Sequence, residues 1–359
     1  MNSKAPLCIF FNTYYSKYID QIYHKHPQLA EDTYENQKKI FLDGFFGDCD
    51  FYSKGLIKAG WRAEVFIGNV VNLQNAWARE HNFSGEMFDI ALEQVKMLKP
   101  QVIYLQEMAD GSKEILDALR PYTDLIVGQI ACPLSESTYL KGFDIIFTSF
   151  PHFVKFFKQK NITSYYQPLA FEPRILEKIT DFKKKYPVTF IGSITIDHKK
   201  GEQIISKIID QFPIDIWGWI DEYCLSTPLL KYYHGEVWGL EMFKLFSQSL
   251  ITINRHIDVA ENYANNMRLF ESTGCGAMLL TDYKDNLNDL FEIGKEVVAY
   301  RTPEECVELI KYYLKNPDEA REIAIAGQKR TLRDHTYEKR MKQTAEIFNH
   351  HLSKKNVSF

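Results

Sequence analysis

The side chains best equipped for chemistry gather in one short stretch, "ANNMRLFESTGCGAMLLTD", from Ala264 to Asp282. Asn265, Arg268 and Glu271 recur every third residue there, and residues three apart on a helix share a face. One helix would thus present an amide, a guanidinium and a carboxylate together. An arginine can hold a diphosphate through charge-assisted bonds, and a carboxylate can accept both hydroxyls of a ribose. The plainer reading is an i, i+3 ion pair whose charges satisfy each other. The small residues of "GCGA" directly after the helix allow close packing and tip the reading towards a site.

Other candidates are scattered but share a logic of position. "FIGSIT" puts Gly192 and Ser193 at a strand-to-helix turn, where backbone N–H groups and the helix N-terminus can receive a phosphate. Trp217, Gly218 and Trp219 follow another apolar run, and Asn254 and Arg255 a third, with Asn266 just ahead of Arg268. In the first half the corresponding positions are Asn12, Thr13, Asn69, Glu107, Gln129 and Ser149. Neither GxGxxG nor GxxxxGK[ST] occurs, which argues against nicotinamide or P-loop chemistry. Asp48 and Asp50 in "GDCDF" spell DxD, a pattern often tied to metal-held nucleotides, but they begin a helix, where acids commonly act as caps. No metal ligand is therefore assigned.

These positions make sense only if the chain alternates strands and helices. "LCIFFN", "RAEVFIGN", "QVIYLQE", "DLIVGQIA" and "FDIIFTS" read as strands, separated by amphipathic segments such as "DFYSKGLIKAG" and "FDIALEQVKMLKP". The pattern breaks over "QPLAFEPRILEKITDFKKKYP", whose prolines and charges suggest a solvated connection through Lys183, Lys184 and Lys185. It resumes with "VTFIGSI", "IDIWGWI", "LITINRH", "AMLLTD" and "EVVAY" and their helices. Strands joined by helical crossovers imply parallel sheets. The expected class is α/β, two doubly wound Rossmann-like domains facing an interdomain cleft, with ligands beyond the carboxyl ends of the strands. The boundaries are 1–170 and 187–336, with the helix 337–359 returning to the first domain.

At 359 residues two domains are the natural expectation. A net charge of −4 gives no footprint for nucleic acid or an anionic surface. Six widely spaced cysteines without a CxxC pair point away from zinc and disulfide frameworks and suit a reducing compartment. The five-residue apolar run near the N-terminus is too short for a signal peptide, and nothing reaches membrane-spanning length. A cytoplasmic location is expected, with peripheral membrane contact left open.

From "NNMRLFESTGCGAMLLTD" through "LFEIGKEVVAY" and "IKYYLKNPDEAREIAIAGQKRTLRDHTYEKRM", the chain resembles the CgeB-like (spore-maturation type) glycosyltransferases, a GT-B family with a glycosyltransferase group 1-like C-terminal domain. "VTFIGSIT" and "DIIFTSFPHFV" are similar too. The resemblance implies sugar transfer from a nucleotide-sugar co-substrate, UDP-linked, to a hydroxyl of a glycan or protein acceptor, with no further cofactor. It implies that Glu271 holds the donor ribose, that Arg268 and the Gly192–Ser193 turn hold its phosphates, and that Trp217 to Trp219 lie near the base, with Gly218, Asn254 and Asn266 lining the same donor site. An inverting reaction would need a general base from the first domain. Asp50 and Glu107 are the candidates by position, with His24, His26 and His152 behind them. The competing readings are a nucleotide-sugar epimerase and a non-catalytic nucleotide-binding protein on the same scaffold.

Overall fold

The computed structural model describes residues 5–108, 111–135, 138–194, 199–221 and 227–357. Two compact units emerge, Met1–Pro168 with Tyr337–Phe359, and Leu169–Thr336. Each is an open, all-parallel sheet with helical crossovers.

In the first unit the strands are β1 (Leu7–Asn12), β2 (Arg62–Ile67), β3 (Val102–Leu105), β4 (Leu125–Ile130), β5 (Ile145–Thr148) and β6 (Ser164–Tyr166), ordered β2-β1-β3-β4-β5-β6. In the second they are β7 (Tyr186–Ile191), β8 (Asp215–Trp217), β9 (Ser249–Asn254), β10 (Met278–Asp282) and β11 (Val298–Tyr300), ordered β11-β10-β9-β7-β8. Both sheets reverse direction of winding beside their first strand, between β1 and β3 and between β7 and β9. Ligands of such sheets gather in the crevice outside the carboxyl ends at that reversal.

The central strands are buried along nearly their whole length, as strands covered on both faces must be. Local signals set the helices between them. The Thr302 hydroxyl accepts from the Glu305 N–H ahead of Pro303, and Glu86 and Asp89 form a reciprocal capping box. The last helix, Tyr337–Val357, buries Met341, Ala345 and Phe348 in the first unit. The Phe348 ring lies edge-on to Trp61 at 5.5 Å, and the Tyr337 hydroxyl donates to Asp48 at 2.7 Å. Gly55 permits the crossing with helix Phe51–Lys58, since a Cβ there would meet the Tyr337 carbonyl oxygen at 2.9 Å.

Three expectations change. The connection through Lys183–Lys185 is not simply solvated: Lys184 is mostly buried and its ammonium donates to the carbonyls of Ser247 (2.9 Å), in the last turn of helix Gly239–Gln248, and Gly276 (2.6 Å), just past helix Arg268–Gly274. The helix bearing Glu271 starts at Arg268, leaving Asn265 and Asn266 in the preceding loop. Of the two DxD acids, Asp50, at the N-cap of Phe51–Lys58, makes no side-chain capping bond, and Asp48 receives the Tyr337 hydroxyl.

Candidate active site

The carboxyl ends of β7 and β9 carry a polar cluster in the second unit. Arg268 opens its helix (Arg268–Gly274) against the end of β7, where its Nε donates to the Ile191 carbonyl at 2.7 Å. Its guanidinium lies 5.6 Å from the centre of the Phe246 ring, and Nη1 pairs with Glu271 Oε2 one turn along. Glu271 is almost fully buried. Its other oxygen, Oε1, and Arg268 Nη2 make no hydrogen bond among the described residues. The pair that could have been self-satisfied therefore keeps one donor edge and one acceptor for a ligand.

Gly192 and Ser193 extend β7 beside this pair. The Gly192 N–H donates to Trp217 O at 3.0 Å, and Arg255 Nη2 reaches the Ser193 carbonyl at 3.4 Å. Gly218, not Gly192, is the glycine this geometry demands. It has φ of +127°, and a Cβ there would overlap the Gly192 carbonyl oxygen. Of the turn expected to cradle a phosphate, residues 195–198 lie outside the described residues; the next helix begins at Lys199.

Asn254 and Asn266 are brought together, but chiefly for each other. Asn266 Nδ2 donates to Asn254 Oδ1 (2.8 Å) and to the Arg255 carbonyl (2.9 Å), and Asn254 Nδ2 donates to Thr281 Oγ1 at 2.9 Å. They fix the loop that delivers Arg268. Trp217 is turned away from open space: it stacks on His234 at 4.5 Å and meets Tyr186 edge-on, whereas Trp219 is substantially exposed.

A pair absent from the expected residues adjoins this cluster. His256, two residues beyond β9, has a fully buried ring whose Nδ1 lies 2.7 Å from Asp282 Oδ1 at the end of β10. Burial alone would raise the Asp282 pKa, but the His256 charge and hydrogen bonds, with Lys284, outweigh it and hold the carboxyl below its ordinary value. Both residues stand just after or at strand ends, so the strand-end rule applied to every strand would have found them.

In the first unit Asp50 is buried near Tyr14, and Glu107 is half-buried two residues past β3, close enough to Cys132 to add to the rise that burial gives that thiol, to about 11. His24 lies in the last turn of the helix Ser16–Lys25 with His26 as its C-cap, positions where cations suit the helix dipole. His152 packs between Phe150 and Phe153. Among the described residues no three His, Cys, Asp or Glu side chains are grouped to hold a metal ion.

Comparison with solved structures resolves the architecture. Sucrose-phosphate synthase from Thermosynechococcus elongatus superposes with a TM-score of 0.57 at 12% identity, covering 97% of this chain and 100% of that one. Anabaena Alr3699/HepE gives 0.59 at 10%, covering 96% and 99%, and a glycosyltransferase from Rickettsia africae 0.54 at 11%, covering 97% and 99%. The chain has the GT-B fold. Residues 174–346 of this GT-B chain, just under half of it, match the family model described as glycosyl transferase-like. No curated protein sequence matches it. The matched segment of the GT-B chain contains Gly192, Ser193, Asn254, Arg268 and Glu271 together.

Proposed function

We propose that the protein is a glycosyltransferase that binds a nucleotide-sugar donor on its second unit and moves the sugar to an acceptor hydroxyl. The observation that carries this reading is Glu271: a buried carboxylate with one oxygen paired to Arg268 and the other unclaimed, at the winding reversal of a parallel sheet. A ribose diol would bond to that oxygen, and the free edge of Arg268 would face the diphosphate. The glycosyl transferase-like match over residues 174–346 supports the same chemistry at the level of the superfamily. So does the fold shared with Anabaena Alr3699/HepE, a protein solved in complex with UDP-glucose; a UDP-linked donor is the corresponding expectation here.

In transfer, the bond from the sugar's anomeric carbon to the diphosphate oxygen breaks as the acceptor oxygen bonds to that carbon. Positive charge spreads over the ring, and negative charge builds on the departing nucleoside diphosphate. The free edge of Arg268 would meet that charge with little reorganisation. In an inverting reaction the acceptor proton passes to a base on the first unit, for which Glu107 and Asp50 are proposed. With Arg268 neutralising the diphosphate and Asp48 bound to Tyr337, transfer is expected without a divalent metal. Sugar transfer measured in excess EDTA should equal that without it; complete loss restored by manganese or magnesium would overturn metal independence. Turnover of a UDP-sugar only when an acceptor hydroxyl is added separates this reading from an epimerase and from a silent nucleotide binder.

A further inference from the structure

The first unit has its own crevice at the winding reversal between β1 and β3, and its chemistry differs from that of the second. A pocket of about 250 Å³ opens there. Its walls are the rings of Phe11, Phe66 and Phe88 with Leu105 and Leu119, and it lies beside the tops of helices Met87–Leu98 and Lys113–Leu119. Phe11 and Phe66 stack in a tilted pair with centres 4.6 Å apart. Among the described residues no charged side chain lines it.

The mouth is rigidly made. Asn12 donates to the Cys49 carbonyl at 2.8 Å, and Asn69 clamps the Tyr14 backbone with both amide atoms, at 3.0 and 2.7 Å. Gly68 N–H donates to Asn12 O, and Gln106 N–H to Phe11 O. Beside the wall residue Leu105, the Gln106 side chain buries its amide oxygen and nitrogen with no hydrogen-bond partner among the described residues. An amide left so is costly unless something else completes it. Small-molecule sites have this make-up, an apolar hollow with a few fixed polar groups at the strand ends.

We propose that this pocket receives a compact apolar group of the acceptor, an aromatic ring or a short branched alkyl, and that the polar rim addresses the polar atoms joined to it. The acceptor is then an aglycone with a hydrophobic part, not a polyol presenting hydroxyls on all sides. A polyol would leave its hydroxyls unpaired against three phenyl rings. The word acceptor rests on the glycosyl-transfer reading; the ligand chemistry of the pocket does not.

The test uses the full chain with methyl-labelled methionine and isoleucine, since Met87 and Ile115 both line the pocket. Titration with p-cresol should shift both methyl signals saturably, and glycerol should not. Ala91, another lining residue, offers a way to fill the hollow. Ala91→Phe should weaken p-cresol binding by about tenfold or more, the scale of losing a hydrophobic subsite, and leave UDP affinity unchanged. With a UDP-sugar that the protein turns over, p-hydroxybenzyl alcohol should be used at lower KM than glycerol, and Ala91→Phe should erase that preference. Absence of saturable shifts in the unaltered protein overturns the proposal whether or not the variant folds. So does a preference for p-hydroxybenzyl alcohol that survives Ala91→Phe. Failure of the protein to bind any UDP-sugar, with p-cresol still bound, would sink the glycosyl-transfer reading and leave the pocket standing.

Discussion

Glu271 has a divided carboxylate, one oxygen held by Arg268 and the other open. Glu271→Ala should therefore weaken UDP binding by roughly 1.5–3 kcal/mol, the range for a hydrogen bond to a charged group, with near-native circular dichroism. Unchanged affinity measured by titration calorimetry would remove Glu271 from the site. Gly218→Ala acts on shape alone. Its backbone sits at φ +127° and its missing Cβ makes room for the Gly192 carbonyl, so a loss of about 1–3 kcal/mol is expected from strain, read as a lower thermal midpoint. Arg268 and Glu271 were legible in the sequence because helical spacing alone puts them in reach. The direction of Trp217 was not, because strand alternation does not say which face holds His234. Nor could spacing reveal that Asn254 and Asn266 spend their amides on one another.

Among the elements, those with apolar periodicity could be read directly, and those whose buried faces are polar could not. Helix Val71–Glu80 is hard to read because Gln74 interrupts its buried Leu73, Ala76 and Trp77, donating to Ile67 O at 2.8 Å while accepting from Gln94 at 2.7 Å. Strand β6 is three residues, Ser-Tyr-Tyr, and is only half-buried. The tail helix was legible through the i, i+4 and i+7 positions of Met341, Ala345 and Phe348. The lysine run misled, because a charged composition does not show that Lys184 closes two helix ends. Burial lowers its pKa to about 8. The unfolded chain, with an ordinary lysine, then binds more protons between pH 8 and roughly 10.4. This lysine's contribution makes stability rise with pH across that window, its cost being fully present below pH 8. Other groups titrate there as well, so the check is a difference. Stability of the natural protein minus that of Lys184→Met, from denaturant titrations at pH 7.5 and 10, should increase with pH; a flat difference would mean the ammonium is not desolvated.

At the scale of the molecule, the last helix belongs to the first unit although it follows the second in sequence. Its Phe348 lies within 6.4 Å, centre to centre, of Trp61, Tyr104 and Phe147. Deleting the chain after Arg340 removes Met341 and Phe348, each fully buried, and large-to-small losses of such side chains cost about 2–5 kcal/mol apiece. The truncated protein should lose the first unit's thermal transition and all sugar transfer, yet bind UDP through the second. Loss of UDP binding along with it would mean that the donor unit depends on the tail for its fold.

The same discontinuity sets an order of events during synthesis. The second unit starts and ends side by side, Phe171 N–H donating to the His335 carbonyl at 2.9 Å and Phe171 pairing with Thr336. It is complete once residue 336 has left the ribosome. The first 168 residues emerge earlier but must wait, with the aromatic bed of Phe51, Tyr52 and Tyr104 uncovered, until Tyr337 and Phe348 arrive. At roughly 5–20 residues per second, that wait lasts on the order of ten seconds or more. Nascent chains carrying residues 1–336 on an unstructured linker long enough to span the exit tunnel should thus protect the later-made unit from protease while the earlier-made one is still digested.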